Sequence, residues 1–101
     1  MDFYFNPAKY GMRQIGAIDW SDGNYQFDLT VVWIDRDVRF WYGDDAGCSC
    51  PTPFEDTNVT DLVELTSLEQ FKAHCESRAR SSEDRSMELV VLEKLHAEGL
   101  R

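Results

Sequence analysis

Polar and apolar residues alternate from Tyr25 to Val31, and Trp33 continues the apolar set. A period of two predicts a β-strand, with Tyr25, Phe27, Leu29, Val31 and Trp33 on one face and Gln26, Asp28 and Thr30 on the other. The first face is expected to be the core. Upstream, Ser21-Asp22-Gly23-Asn24 reads as a hairpin turn, because Asp-Gly accepts the positive φ values of a two-residue type I′ loop. A loop on Asp22-Gly23 sets Trp20 opposite Tyr25, Ile18 opposite Phe27 and Gly16 opposite Leu29. Downstream, the chain turns at Asp35-Arg36-Asp37 and returns as Val38-Arg39-Phe40-Trp41-Tyr42. A two-residue loop on 35–36 or on 36–37 faces Phe40 and Tyr42 toward Val31 or Trp33. Val32, Ile34 and Trp41 then share the opposite face and need a cover, from Phe3-Tyr4-Phe5 or from a second copy in a homodimer.

The second half changes character. Residues 44–61 form a loop rich in Gly, Pro, Ser, Thr and Asp, followed by Leu62-Val63-Glu64-Leu65-Thr66, a short alternation that suits an edge strand. Ser67-Leu68-Glu69-Gln70 has the form of a capping box, so a helix starts there with Leu68, Phe71, Cys75 and Ala79 on one face. After Ser81-Ser82 a second helix is expected from Glu83 to Ala97, with Met87, Val90, Val91 and Leu95 as its inner stripe and Gly99 as its stop. The expected architecture is α+β: an antiparallel three- to four-stranded meander with two C-terminal helices packed on one face. Residues 1–101 make one domain, divided into a meander (1–43), a loop (44–61) and a strand-plus-helices segment (62–101).

Composition agrees and adds a charge argument. Of 13 aromatic residues, 11 precede residue 51, which places the sheet in the first half. Lys and Arg total 10 against 19 Asp and Glu, a net charge of −9 that disfavours direct binding to nucleic acid. Between Arg39 and Lys72 there are seven acidic residues and no basic one. The charge is therefore local, and a local field steers a basic partner. No apolar run approaches the length of a membrane span, and no basic segment precedes an apolar one at the N-terminus, so a cytoplasmic protein without membrane contact is expected.

Candidate chemistry centres on Asp44 to Asp56. Cys48 and Cys50 stand at Cys-x-Cys spacing, which lets both thiolates reach one Zn²⁺, although a closed site needs four ligands. The same pair suits a labile redox disulfide, or simple packing in a loop stiffened by Pro51 and Pro53 and pinned to the core by Phe54. Asp44, Asp45, Glu55, Asp56, Asp61 and Glu64 form the candidate acidic binding face. His74 and His96 fall on helices in charged surroundings, and no base stands near a cysteine, so no catalytic residue is assigned.

Two stretches, Ile18 to Asp28 and Asp44-Asp45-Ala46-Gly47-Cys48-Ser49-Cys50-Pro51 with Pro53-Phe54-Glu55-Asp56, resemble a family of small proteins encoded by actinobacterial phages, including mycobacteriophages. The resemblance covers residues 10–70, with the Gly-Cys-Ser-Cys-Pro loop as its most specific part. It implies a product made in the cytoplasm of an infected bacterium, and no activity or cofactor. The expected function is a non-enzymatic accessory protein whose acidic loop face binds a basic host or phage protein. The alternatives are a metal or redox module built on Cys48 and Cys50, and a nucleic-acid mimic.

Overall fold

Residues Gln26–Asp35 form a strand whose apolar side chains occupy both of its faces, and the rest of the chain is arranged to cover both. The computed structural model describes residues 4–21, 26–48, 54, 58–78 and 82–101. A short 3₁₀ turn (Pro7–Tyr10) leads into β1 (Met12–Asp19), followed by β2 (Gln26–Asp35) and β3 (Phe40–Cys48). A second 3₁₀ turn (Val59–Asp61) precedes β4 (Val63–Leu65), α1 (Leu68–Glu76) and α2 (Ser82–Ala97). The strands make one antiparallel sheet in the order β1-β2-β3-β4. This is the expected α+β meander with two C-terminal helices.

The strand pairing differs from the expected register. Ile18 opposes Thr30, Ala17 opposes Val31 and Gly16 opposes Val32, three positions away from the pairing of a two-residue loop on Asp22-Gly23. Residues 22–25 lie outside the described residues. The cause is visible in Trp20, a buried indole that must place its N–H. Its Nε1 donates to Thr30 Oγ1 at 2.8 Å, and its backbone N–H donates to Asp28 O at 2.7 Å. A β-bulge between Gln14 and Gly16 then keeps Ile15 on the same face as Ile18.

The second hairpin is corrected too. Asp35 O accepts the N–H of Val38 at 3.2 Å, and Asp35 N–H donates to Arg39 O at 2.9 Å, giving a three-residue loop with Val38 at φ 61°. One extra residue reverses the parity of the returning strand. Phe40 and Tyr42 oppose Ile34 and Val32, while Trp41 opposes Trp33. The Asp35 carboxylate fixes this turn by accepting from the N–H groups of Asp37 and Arg39 and from Trp41 Nε1, each at 2.9 Å. Partial burial pushes the Asp35 carboxyl up, but those donors and the Arg39 charge outweigh it and hold the group below its usual 3.8.

Two cores result. On one face, Ile18, Trp20, Val32, Ile34 and Phe40 pack under Phe71 and Cys75 of α1 and Val91 and Leu95 of α2. On the other, Leu29, Val31 and Trp33 pack with Met12, Leu62 and Phe54, with Tyr4, Tyr10 and Trp41 around them. Val32 and Ile34 are therefore covered by the helices, and Trp41 lies on the opposite face, so the three make no common patch for a homodimer. Val31, Val32 and Trp33 are fully buried, each worth about 1.5–3 kcal/mol of transfer free energy.

The inner face of α2 consists of Asp84, Glu88, Val91 and Leu95; Met87 is half-buried, and Val90, expected inside, faces solvent. Helix phase is set where α2 meets β1: a Cβ on Gly16 would lie 3.2 Å from Val91 Cγ2, so the missing side chain lets the helix sit close. The helix stops in a Schellman motif. Gly99, at φ 109°, donates to His96 O and Leu100 N–H donates to Leu95 O, both at 3.0 Å, with Leu95 and Leu100 in one core. Beyond this motif Arg101 reaches α1, where Leu68 N–H donates to Arg101 O at 3.1 Å.

Ser67 caps α1 as expected, accepting the Gln70 N–H at 3.1 Å. The Gln70 side chain serves a different purpose from a capping-box glutamine. Its Oε1 accepts from Thr66 N–H at 2.9 Å and its Nε2 donates to Glu64 O at 3.0 Å. One side-chain amide thus occupies the outer edge of β4 as a neighbouring peptide group would, which seals a sheet edge.

Two stability outcomes are expected. Val38 is exposed and β-branched in left-handed backbone, so Val38→Gly should raise stability by about 1 kcal/mol, seen as a Tm several degrees higher in thermal melts. Gln70→Ala strips the β4 edge and should cost about 1–2 kcal/mol in urea unfolding.

Candidate functional site

Asp44 lies on β3 opposite Thr30, so its side chain points to the helix-covered face. There it accepts from Thr30 Oγ1, which itself accepts from Trp20. His74 Nε2 of α1 stands 2.8 Å from Asp44 Oδ2, and Arg78 Nη1 is 3.7 Å from Asp44 Oδ1. Arg78 also pairs with Asp28 of β2 and lies over the Trp20 ring, 5.8 Å from its centre. The Tyr42 ring stacks at a tilt on His74, 4.6 Å between centres. A chain of polar contacts therefore ties α1 to the middle of β2 and β3. Burial, then the charges of Asp44 and Cys75, push the Tyr42 hydroxyl above its usual 10.0.

Asp45, one residue on, points to the other face and accepts the Phe54 N–H at 2.6 Å. Phe54 takes left-handed backbone at φ 63°, is fully buried, and meets Trp33 edge to face at 5.2 Å between ring centres. Room for its ring exists because residue 43 is glycine: a Cβ there would stand 3.2 Å from Phe54 Cε1. Phe54 pins the loop to the core, as expected from the sequence.

The remaining candidates disperse. Asp61 accepts the Asn58 N–H at 2.8 Å and faces solvent, and Glu64 is exposed on β4. Asp44 and Asp45 thus make their contacts within the molecule, on opposite faces of the sheet, while Asp61 and Glu64 lie at the β4 border. Glu55, Asp56 and Cys50 fall outside the described residues, as does the side chain of Cys48, whose backbone ends β3. The Cys-x-Cys loop and its Zn²⁺ or disulfide readings fall there too. Among the described residues, no three His, Cys, Asp or Glu side chains converge as a metal site.

Near the far end of β2, an open groove of about 450 Å³ is floored by Ala8, Met12, Ile34 and Val38. Arg13 and Glu98 pair beside it at 2.6 Å; this mutual contact raises the guanidinium above its usual value and lowers the carboxyl below its own. Its lining combines cations and anions without a nucleophile.

The residues missed in the sequence are Thr30, His74, Arg78 and Glu88. A signal existed for two of them: Phe71, His74, Cys75 and Arg78 follow i, i+3, i+4, i+7, which puts His74 at the border of the buried face of α1 and Arg78 in line with it just past the helix end. Cys75 is fully buried and donates to Glu88, itself buried on α2. Burial, reinforced by the charges of Glu88 and Asp44, pushes the Cys75 thiol up to about 12, against a weaker pull from Arg78. A thiol so placed is inert as a nucleophile.

These features define a small α+β domain in which a four-stranded meander carries two helices on one face, the first tied to the sheet through a half-buried polar clamp. The chain belongs to a family described as a domain of unknown function, DUF7574, whose model matches residues 1–97. Comparison with curated proteins and with solved structures gives no match.

Cys75 should resist maleimide at pH 8 in the native protein and react after denaturation, with peptide mass mapping separating it from Cys48 and Cys50. Because its folded value of about 12 exceeds the ordinary 9.0, its contribution is complete below 9.0 and declines as pH rises toward 12. Urea midpoints should fall over that window, and Cys75→Ala should flatten the decline.

Proposed function

We propose that this protein is a non-enzymatic binding module that presents an acidic border to a basic surface of a host or phage protein. The observation that carries the reading is the division of labour among its acids. Asp28 is already paired with Arg78, Asp44 lies between Thr30, His74 and Arg78, and Asp45 holds Phe54. Among the described residues, the carboxylates left facing solvent in the same segment are Asp61, Glu64 and Glu69, on or beside the edge strand β4, which also exposes Val63 at 44%. An acidic border that also exposes an apolar side chain suits docking to a basic surface, with the charges steering approach and the apolar contact slowing release. The inert Cys75 supports a binding role over catalysis. The resemblance to actinobacteriophage proteins supplies the context of the partner.

The test is affinity capture from actinobacterial lysate at low salt, followed by titration of the captured partner. The triple variant Asp61→Asn, Glu64→Gln, Glu69→Gln should bind about tenfold more weakly, and about 0.5 M salt should erase the difference, since exposed charges are screened. Capture that survives the triple change at low salt sinks the reading.

A further inference from the structure

Helix α2 has apolar residues on the side away from the sheet. Leu89 and Val90 are 59% and 50% exposed, while Val91 and Leu95 fill the core. Arg85 and Glu93, both exposed, lie four residues before and four residues after Leu89. They are eight residues apart, about 12 Å along the axis, too far to pair with each other within the helix. Neither has an opposite charge four residues away on α2. Ser82 and Ser86, on the same outward side, are small enough to admit a close neighbour.

From this pattern we propose that the outer face of α2 is a contact between two copies of this chain, packed antiparallel about a two-fold axis at Leu89. Such an axis places residue 89 against its counterpart and every residue a given number of steps before it level with the residue the same number of steps after it. Arg85 then meets Glu93 of the second copy, and symmetry makes the ion pair twice. Ser82 falls level with His96, and Ser86 with Leu92. A parallel arrangement would instead oppose Arg85 to Arg85 and Glu93 to Glu93. The charges therefore select the occupant, a second copy, and its orientation as well. The contact is one helix face wide, below the size of a standard stable interface, so association is weak and concentration-dependent. It lies on the β1 side of the molecule, away from the β4 border assigned to the basic partner.

Sedimentation velocity from about 10 µM to about 1 mM protein tests this. The wild-type chain should move from monomer to dimer across the series. Leu89→Lys should remain monomeric, and Arg85→Glu and Glu93→Arg should each weaken the dimer by about tenfold or more. The double variant R85E/E93R should recover wild-type association, because it exchanges the two ends of one self-complementary pair. All four variants change only the exposed positions 85, 89 and 93, and circular dichroism checks that each is folded. The proposal is overturned by a wild-type monomer throughout the series, by a dimer that survives Leu89→Lys, or by a double variant no better than the singles. A monomer that instead partitions onto phosphatidylcholine vesicles through Leu89 also overturns it.

Discussion

Strand β2 has to be buried on both sides, and the other elements follow from that requirement. Thr30 to Ile34 contains no position that tolerates solvent on either face. Two short helices cover one face of a four-stranded sheet, so the second cover must come from pieces that are not regular elements. Leu62 after the second 3₁₀ turn and Phe54 from the long loop supply it, beside Met12 at the start of β1. Phe54 takes left-handed backbone to do so, a conformation that costs of order 1–3 kcal/mol for a residue with a side chain. The Asp45 carboxylate and the Trp33 ring offset that cost.

Polar groups then decide the alignment. Hydrophobic alternation says which residues of one strand share a face, but β2 is apolar on both faces, so it leaves the partner strand free to slide by an odd number of positions as well. In the first hairpin the slide is settled by the Trp20 indole and Thr30 hydroxyl, a pair buried together whose separation would leave a donor unmet. Thr30 passes this constraint to Asp44, and Asp44 passes it to His74 on α1 and to Arg78 just past its end. One chain of contacts thus fixes strand register and helix position together, and the carboxylates in it serve the fold rather than a reaction.

What was legible in the sequence was what local chemistry dictates. The period-two run of β2, the Ser67 cap, the Gly99 stop and the anchoring of the loop by Phe54 all appear as the residues imply. The misplacements arise where one residue changes parity. A single extra residue in the Asp35–Arg39 turn moved Phe40, Trp41 and Tyr42 to opposite faces, and Val38 gave no warning because a β-branched residue is among the least suited to that backbone. Glu88 and Asp84 were hidden for the converse reason: acids are read as surface, and their burial depends on a helix phase set by Gly16 on a distant strand. The candidate acidic face divided because neighbours on a strand point in opposite directions.

The hydrogen bond from Leu68 N–H to Arg101 O has a bearing on the order in which the molecule is completed. Synthesis delivers Leu68 first and Arg101 33 residues later, roughly 2–7 s at ordinary bacterial rates. During that interval the meander and Ser67 can form, but the first turn of α1 lacks one of its acceptors, and the face of the sheet intended for α2 stands open. The nascent chain is thus at its stickiest until residues 82–101 have emerged. Closure of the helix-covered face waits on them, so the two helices settle together rather than in turn.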